Sequence, residues 1–300
     1  MLQVEKLFQV AAHSGSIYSI ISNREEFVYT GGSDGVVLKW NIKSPDSATA
    51  VAKVSGQIFS LYLFQPLNQL WVGTMSGAVH VLDLNLKKEI HYFINHTASV
   101  FDIQLSSDEK IFIASKDGSI SIWEAATSQF IQSIHIADGG LRKISFHPTR
   151  NEMAIGSSDN SIYIFSADSY ELINKIDAHS NSIFSLCYSM DGTELFSGGR
   201  DAMLYCWDVL NNYHELKKLP AHLYTINDIV LLSGNLMATA GRDKHVKIWN
   251  TENSELIKVL DKEKFEGHKN SVNKLCWLNE QKILLSVSDD RSMIAWKISE

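Results

Sequence analysis

Histidine, aspartate and a hydroxyl residue recur together along this chain, in sets that would suit nucleophilic hydrolysis. His179, Ser197 and Asp201 form one set, and His268, Ser286 and Asp290 another. In a hydrolase the serine oxygen attacks, the imidazole takes its proton and the carboxylate orients the imidazole. Two further sets carry threonine instead: His13, Thr30 and Asp34, then His222, Thr239 and Asp243. Catalysis needs one site, whereas a repeated architecture needs one set per unit. Recurrence therefore assigns these residues to the framework and predicts no catalytic residue. The remaining histidines (His80, His91, His135, His147, His214 and His245) show no HxxxH or Cys/His pairing of zinc-ligand type, so no metal site is expected. Gly31-Gly32 and Gly198-Gly199 form neither a dinucleotide fingerprint nor a P-loop. No cofactor is expected.

The elements that position these sets follow from the repeat. Turn signals recur at Ser33-Asp34-Gly35, Met75-Ser76-Gly77, Lys116-Asp117-Gly118, Ser158-Asp159-Asn160, Arg200-Asp201-Ala202, Arg242-Asp243-Lys244 and Asp289-Asp290-Arg291. A spacing of about 40–45 residues is that of a four-stranded propeller blade. Each turn follows a β-rich run ending in small residues, such as Phe27 to Gly32, and precedes an alternating run, such as Val36 to Trp40. Neither run has helical spacing. Seven such units predict an all-β, seven-bladed β-propeller of four-stranded antiparallel blades, forming a single domain over residues 1–300. After Trp296 nothing remains for the last unit's fourth strand. Val4 to Val10 resembles the fourth-strand segments Glu171 to Ile176 and Glu255 to Leu260, so the N-terminal strand is expected to close the ring. Asp261 to Gly267 reads as a solvated loop insertion.

Composition is compatible with this. The 300 residues are 45% hydrophobic and carry a net charge of −7, enough chain to bury a core without staples. The acidic balance argues against nucleic acid as the main partner. Three widely spaced cysteines give no disulfide framework, and Cys187 and Cys276 lie in apolar runs expected to be buried. No stretch has the length of a membrane span and no leader is evident, so a cytoplasmic protein is expected.

With its His, Ser/Thr, Asp and Trp at constant spacing, the chain resembles the WD-repeat family. The first, fifth, sixth and seventh repeats close on Trp40, Trp207, Trp249 and Trp296, and Trp207-Asp208 spells the dipeptide itself. Three repeats depart. The third has His96, Asp117 and Trp123 but Ile113 at the hydroxyl position. The fourth has Asp159 but no His, and Phe165 for Trp. The second has Ser76 for Asp and Leu82 for Trp. These three are expected to rely on ordinary packing.

The resemblance implies that His, Asp, hydroxyl and Trp form a buried hydrogen-bonded chain within each blade. It also implies a partner-binding surface. Each inner strand carries a four-residue signature with apolar ends three apart, which strict alternation cannot place on one face and a bulge can. In related propellers its second residue points to the mouth of the central channel. Here those residues are Tyr18, Phe59, Phe101, Arg142, Phe184, Asn227 and Asn273. Aromatics and arginine are typical partner anchors. Asp102 and Asp228 would add charge complementarity. Before the turns stand Lys116, Arg200, Arg242 and Asp289, which the family geometry puts on the same face. Arg200 and Arg242 would suit a carboxylate or phosphate. The expected function is a non-catalytic scaffold or adaptor for a protein or peptide partner in a larger complex. The alternatives are a propeller enzyme with a channel site and a component of a ribonucleoprotein complex.

Overall fold

A computed structural model describes residues 2–23 and 26–299. Seven four-stranded antiparallel sheets follow one another along the chain, which is a seven-bladed β-propeller. The third blade is representative, with strands Val100–Leu105, Lys110–Ser115, Ser119–Glu124 and Phe130–His135 from the inside outward. Its second strand is buried at every position after Lys110, because both faces of a middle strand are covered. From Ile131 onward its outer strand alternates between exposed and half-buried residues, as a strand with one wet face does.

One compact unit, residues 1–58 with 222–300, holds the first, sixth and seventh blades. The other, 59–221, holds the second to fifth. Within each unit the core lies between successive blades. In the second unit, Phe112 and Ile122 pack with Leu141 and Ile144 of the next blade, and Ile162 and Ile164 pack with Ile183 and Leu186. In the first unit, Ala238 and Ile248 meet Val272 and Leu275, while Ile17 and Leu38 meet Leu285 and Ala295. A blade thus buries its faces only against a neighbour, the condition that makes a repeat array cohere.

The N-terminal strand, Gln3–Val10, pairs antiparallel with Met293–Ser299, Val4 opposite Ile298 and Val10 opposite Met293. It is the fourth strand of the seventh blade, as its apolar pattern predicts. The segment before that blade differs from expectation. Lys262–Phe265 forms one helical turn, capped by the Asp261 side chain accepting from Lys264 N. Phe265 packs against the apolar cluster of the sixth and seventh blades, which explains why the insertion is ordered. The cysteines are free. Cys206 is buried, but Cys187 and Cys276 are only half-buried, a correction to the expectation from their apolar runs.

Candidate functional site

The geometry of the recurring sets resembles a hydrolytic triad, and their environment does not. In the fifth blade His179 Nδ1 lies 3.0 Å from Asp201 and its Nε2 lies 2.8 Å from Ser197 Oγ. Trp207 Nε1 donates to that same Oγ at 2.8 Å. The serine is fully buried, so no substrate reaches it. The first, sixth and seventh blades repeat the chain: Trp40 Nε1 donates to Thr30 at 2.8 Å, Trp249 Nε1 to Thr239 at 2.9 Å and Trp296 Nε1 to Ser286 at 3.0 Å. The run Gly31-Gly32-Ser33-Asp34-Gly35 spells the Gly-x-Ser-x-Gly of a nucleophile elbow. Here it joins two strands, Phe27–Gly32 and Val36–Asn41, and not a strand to a helix.

Polarity runs one way along each chain. The indole N–H donates to the hydroxyl, the hydroxyl to Nε2, and Nδ1–H to the carboxylate. Each aspartate also accepts backbone N–H groups, Asp34 from Ser14 at 2.9 Å and from Val36 at 3.1 Å. Burial alone would raise the Asp243 pKa, but the hydrogen bond and charge of His222 and the Leu223 N–H outweigh it and bring it to about 2. Burial in turn lowers His13, His96 and His222, with their aspartates only partly offsetting it. Neutral imidazole beside ionised carboxylate is the state these groups favour.

Two of the departing blades keep the device by other means, which corrects the expectation of ordinary packing. In the third blade Ser121 Oγ lies 2.8 Å from His96 Nε2 and accepts from Trp123 Nε1 at 2.9 Å. Ser121 is the cross-strand partner of Ile113, so the hydroxyl has moved to the neighbouring strand. In the fourth blade Tyr163 O–H donates to Asp159 at 2.6 Å in place of the missing histidine. The second blade has no such chain. Buried Trp71 Nε1 and His80 Nε2 there find no partner among the described residues.

The inner strands carry the bulge that their signatures require. The register shifts between Ile17 and Ser19, Val100 and Asp102, Leu141 and Lys143, Ile183 and Ser185, Ile226 and Asp228, and Val272 and Lys274. The residue skipped in each case is the second of its signature. Tyr18, Phe59, Phe101, Arg142, Phe184, Asn227 and Asn273 are all half-buried, whereas the flanking apolar residues are buried. The pre-turn residues lie close by in each blade. Their N–H groups bond to the carbonyl just before the inner strand: Lys116 to Ser99 at 2.8 Å, Arg200 to Ser182 at 2.8 Å and Arg242 to Thr225 at 2.9 Å. Lys116, Arg200 and Arg242 are exposed.

Within residues 59–221 several of these side chains touch. Phe59 and Phe101 have ring centroids 5.7 Å apart. The Arg142 guanidinium sits 4.1 Å from the Phe101 centroid and 4.7 Å from that of Phe184. Its Nε donates to Ser158 Oγ at 2.9 Å. Burial, then the charge of Arg200, lowers the Arg142 pKa to about 10. In the other unit the asparagines tie blades together. Asn227 Nδ2 donates to Val272 O at 2.7 Å, and Asn273 Nδ2 to Ile17 O at 2.9 Å and Asp289 at 2.8 Å. Asp102 and Asp228 are likewise used internally. Asp102 accepts from Ile144 N at 2.9 Å and Lys143 at 3.2 Å, and Asp228 from Leu275 N at 3.0 Å and Lys274 at 2.9 Å. They clasp successive blades and are not offered to a partner, a role missed because the contacting residue lies a whole repeat away.

Among the described residues no three His, Cys, Asp or Glu side chains converge as metal ligands, and no helix is long and apolar enough to cross a membrane.

Blades fastened by His–Asp–hydroxyl–Trp chains, with half-exposed residues at their inner bulges, define a repeat β-propeller. The family model described as "WD domain, G-beta repeat" matches residues 4–41, 87–124, 128–166, 170–208, 213–250 and 260–297, and the chain belongs to this WD-repeat family. The unmatched stretch falls on the second blade, where the chain of hydrogen bonds is missing. Similar curated proteins include nuclear distribution protein PAC1 of Arthroderma otae, 27% identical over 53% of this chain and 36% of the relative. PAC1 of Ajellomyces capsulatus is 26% identical over 68% of this chain and 50% of the relative. Meiotic fizzy-related protein 1 of Schizosaccharomyces pombe is 26% identical over 66% and 48%. The chain thus spans half or less of the length of these relatives.

Proposed function

We propose that the protein is a non-catalytic interaction scaffold that presents its bulge and pre-turn residues to a protein or peptide partner. The observation that carries this reading is the contiguous group Phe59, Phe101, Arg142 and Phe184, half-exposed on a stiff β framework. Large aromatic and guanidinium groups already held in place lose little conformational freedom when a partner arrives. Arg200 extends this surface within its own unit, and Tyr18 and Arg242 are the corresponding proposed contact residues of the other unit. Asn227 and Asn273 take part through whichever donor and acceptor groups the blade ties leave over. On this reading residues 1–300 form a single domain that acts in the cytoplasm, within a larger complex and without a cofactor. Neither relative's name denotes a reaction, and the buried hydroxyls of the histidine sets offer no accessible nucleophile.

The test is mass spectrometry of what co-purifies with the tagged protein, beside a Phe101→Ala/Phe184→Ala variant shown to fold. Loss of a partner from the variant alone supports the assignment. Identical partners on both proteins move the interface elsewhere, and no partner on either opposes the scaffold reading.

A further inference from the structure

We infer that the third to fifth blades build a receptor for an acidic peptide segment, with Arg142 as its anchor and Arg200 and Lys116 as flanking cations. The inference rests on the scaffold reading above and specifies what the scaffold would hold.

The first observation is the state of Arg142. Its guanidinium lies against two aromatic rings, with the central carbon 4.1 Å from the Phe101 centroid and 4.7 Å from that of Phe184. One in-plane donor, Nε, is taken by Ser158. The two terminal nitrogens find no acceptor among the described residues. A guanidinium held against rings, with Nε already bonded, still offers its terminal N–H groups, and these form the fork that a carboxylate or phosphoryl group accepts in bidentate fashion. Contact with two rings and the bond to Ser158 restrain the side chain, so the fork needs little ordering on binding.

The second observation is the company Arg142 keeps. Ser158 links it onward: Ser182 Oγ donates to Ser158 O at 3.2 Å, and Ser182 O accepts from Arg200 N at 2.8 Å. The Lys116 backbone in turn packs against Gly140, two residues before Arg142, so three successive blades bring Arg142 and the exposed Arg200 and Lys116 to one side of this unit. None of the three has a carboxylate partner among the described residues, although the chain as a whole carries a net charge of −7. By contrast Lys143, adjacent to Arg142, is paired with Asp102. Unpaired cations held near one another repel, and an incoming anion relieves that repulsion as well as making its own bonds. A segment with two or more negative charges fits better than one with a single charge, since it can meet both arginines.

The experiment uses fluorescence anisotropy with the full chain and three labelled peptides of six residues: glutamates, glutamines, and alanines with one central phosphoserine. We expect the glutamate peptide to bind at least tenfold more tightly than the glutamine peptide at 50 mM salt, and to weaken as salt rises. Arg200→Gln should cost about fivefold and Arg142→Gln tenfold or more. Arg142→Lys should recover only part of the loss, because a lysine keeps the charge without the fork. Lys53→Gln, in the first blade, serves as a control and should change nothing. Arg200 is exposed, so its variant remains informative if Arg142→Gln fails to fold. Tighter binding of the phosphoserine peptide than of the glutamate peptide would make the phosphoryl group the recognised anion within the same inference.

Equal binding of the glutamate and glutamine peptides, or acidic binding unchanged in both arginine variants, would overturn the proposal. The two readings fail separately. If the co-purifying partner is lost from the Phe101→Ala/Phe184→Ala variant but retained by Arg142→Gln/Arg200→Gln, the anionic specificity falls and the scaffold stands. If no partner is captured while the acidic peptide binds as described, the receptor stands without the scaffold.

Discussion

In the third blade a single hydroxyl decides whether a buried imidazole and a buried indole both find a partner. Ser121 accepts from Trp123 and faces His96 Nε2, while Ile113 across the ladder fills the place where other blades keep their serine or threonine. Ser121→Ala should cost about 1–3 kcal/mol, the usual penalty for stranding buried polar groups. Ile113→Ser combined with Ser121→Ile should return most of that loss, since the hydroxyl would merely change strands. Urea unfolding of the single and double variants checks this, and a double variant as unstable as the sum of its parts would refute it. The sequence hides this arrangement because a motif is read along one strand, whereas Ile113 and Ser121 become neighbours only once the register is known. The Tyr163–Asp159 bond is hidden for the same reason. Positions 113 and 121 therefore form one chemical unit, and related chains are expected to vary them together.

At the scale of strands, much could be read beforehand. The alternation of Val4 to Val10 marks an outer strand, and the three-residue spacing of apolar ends marks a bulge. Both are present. What pattern could not show was whatever depends on the next blade: the Asp102 and Asp228 clasps, the asparagine ties and the ring contacts of Arg142. Most of those contacts join residues some forty positions apart, and the Asn273–Ile17 tie joins residues 256 apart, so nothing local announces them. The closing strand has an energetic consequence. Removing residues 1–10 strips the Met293–Ser299 strand of its ladder partner and exposes an edge that favours pairing between molecules. It also removes Val4, Phe8 and Val10 from the apolar clusters of the first unit. The truncated protein should melt well below the intact one and aggregate on heating. An unchanged melting curve by circular dichroism would show that the strand contributes nothing.

For the molecule as a whole, the aspartates act together under acid. Asp34, Asp117, Asp201, Asp243 and Asp290 all titrate below the ordinary carboxylate range, because imidazole and backbone N–H groups outweigh the opposing effect of burial. A carboxyl whose folded pKa is depressed contributes stability above its unfolded pKa and loses it as the pH falls through the folded value. Asp243, at about 2, corresponds to roughly 2 kcal/mol at neutral pH. His13, His96 and His222 act in the same direction at higher pH. Held below their ordinary value of about 6.5, they bind protons more readily when unfolded. The melting temperature should therefore be highest above about pH 6.5, decline gently below it, and fall steeply between about pH 4 and 2. Asp243→Asn should be less stable at pH 7 and show a shallower acid limb. A melting temperature that stays level from pH 5 to 2 would contradict the assignment.

The inner-strand bulge has a further consequence, for adaptation. A residue skipped by the ladder makes no demand on pairing register, so exchanging it leaves the backbone as it was. Phenylalanine, arginine and asparagine already occupy that slot in different blades on the same local backbone. New recognition can be acquired there by point substitution alone, without inserting or remodelling a loop. Phe101, Phe184 and Tyr18 can be diversified in the laboratory at little risk to folding. Asn227 and Asn273 carry the blade ties and should be left alone.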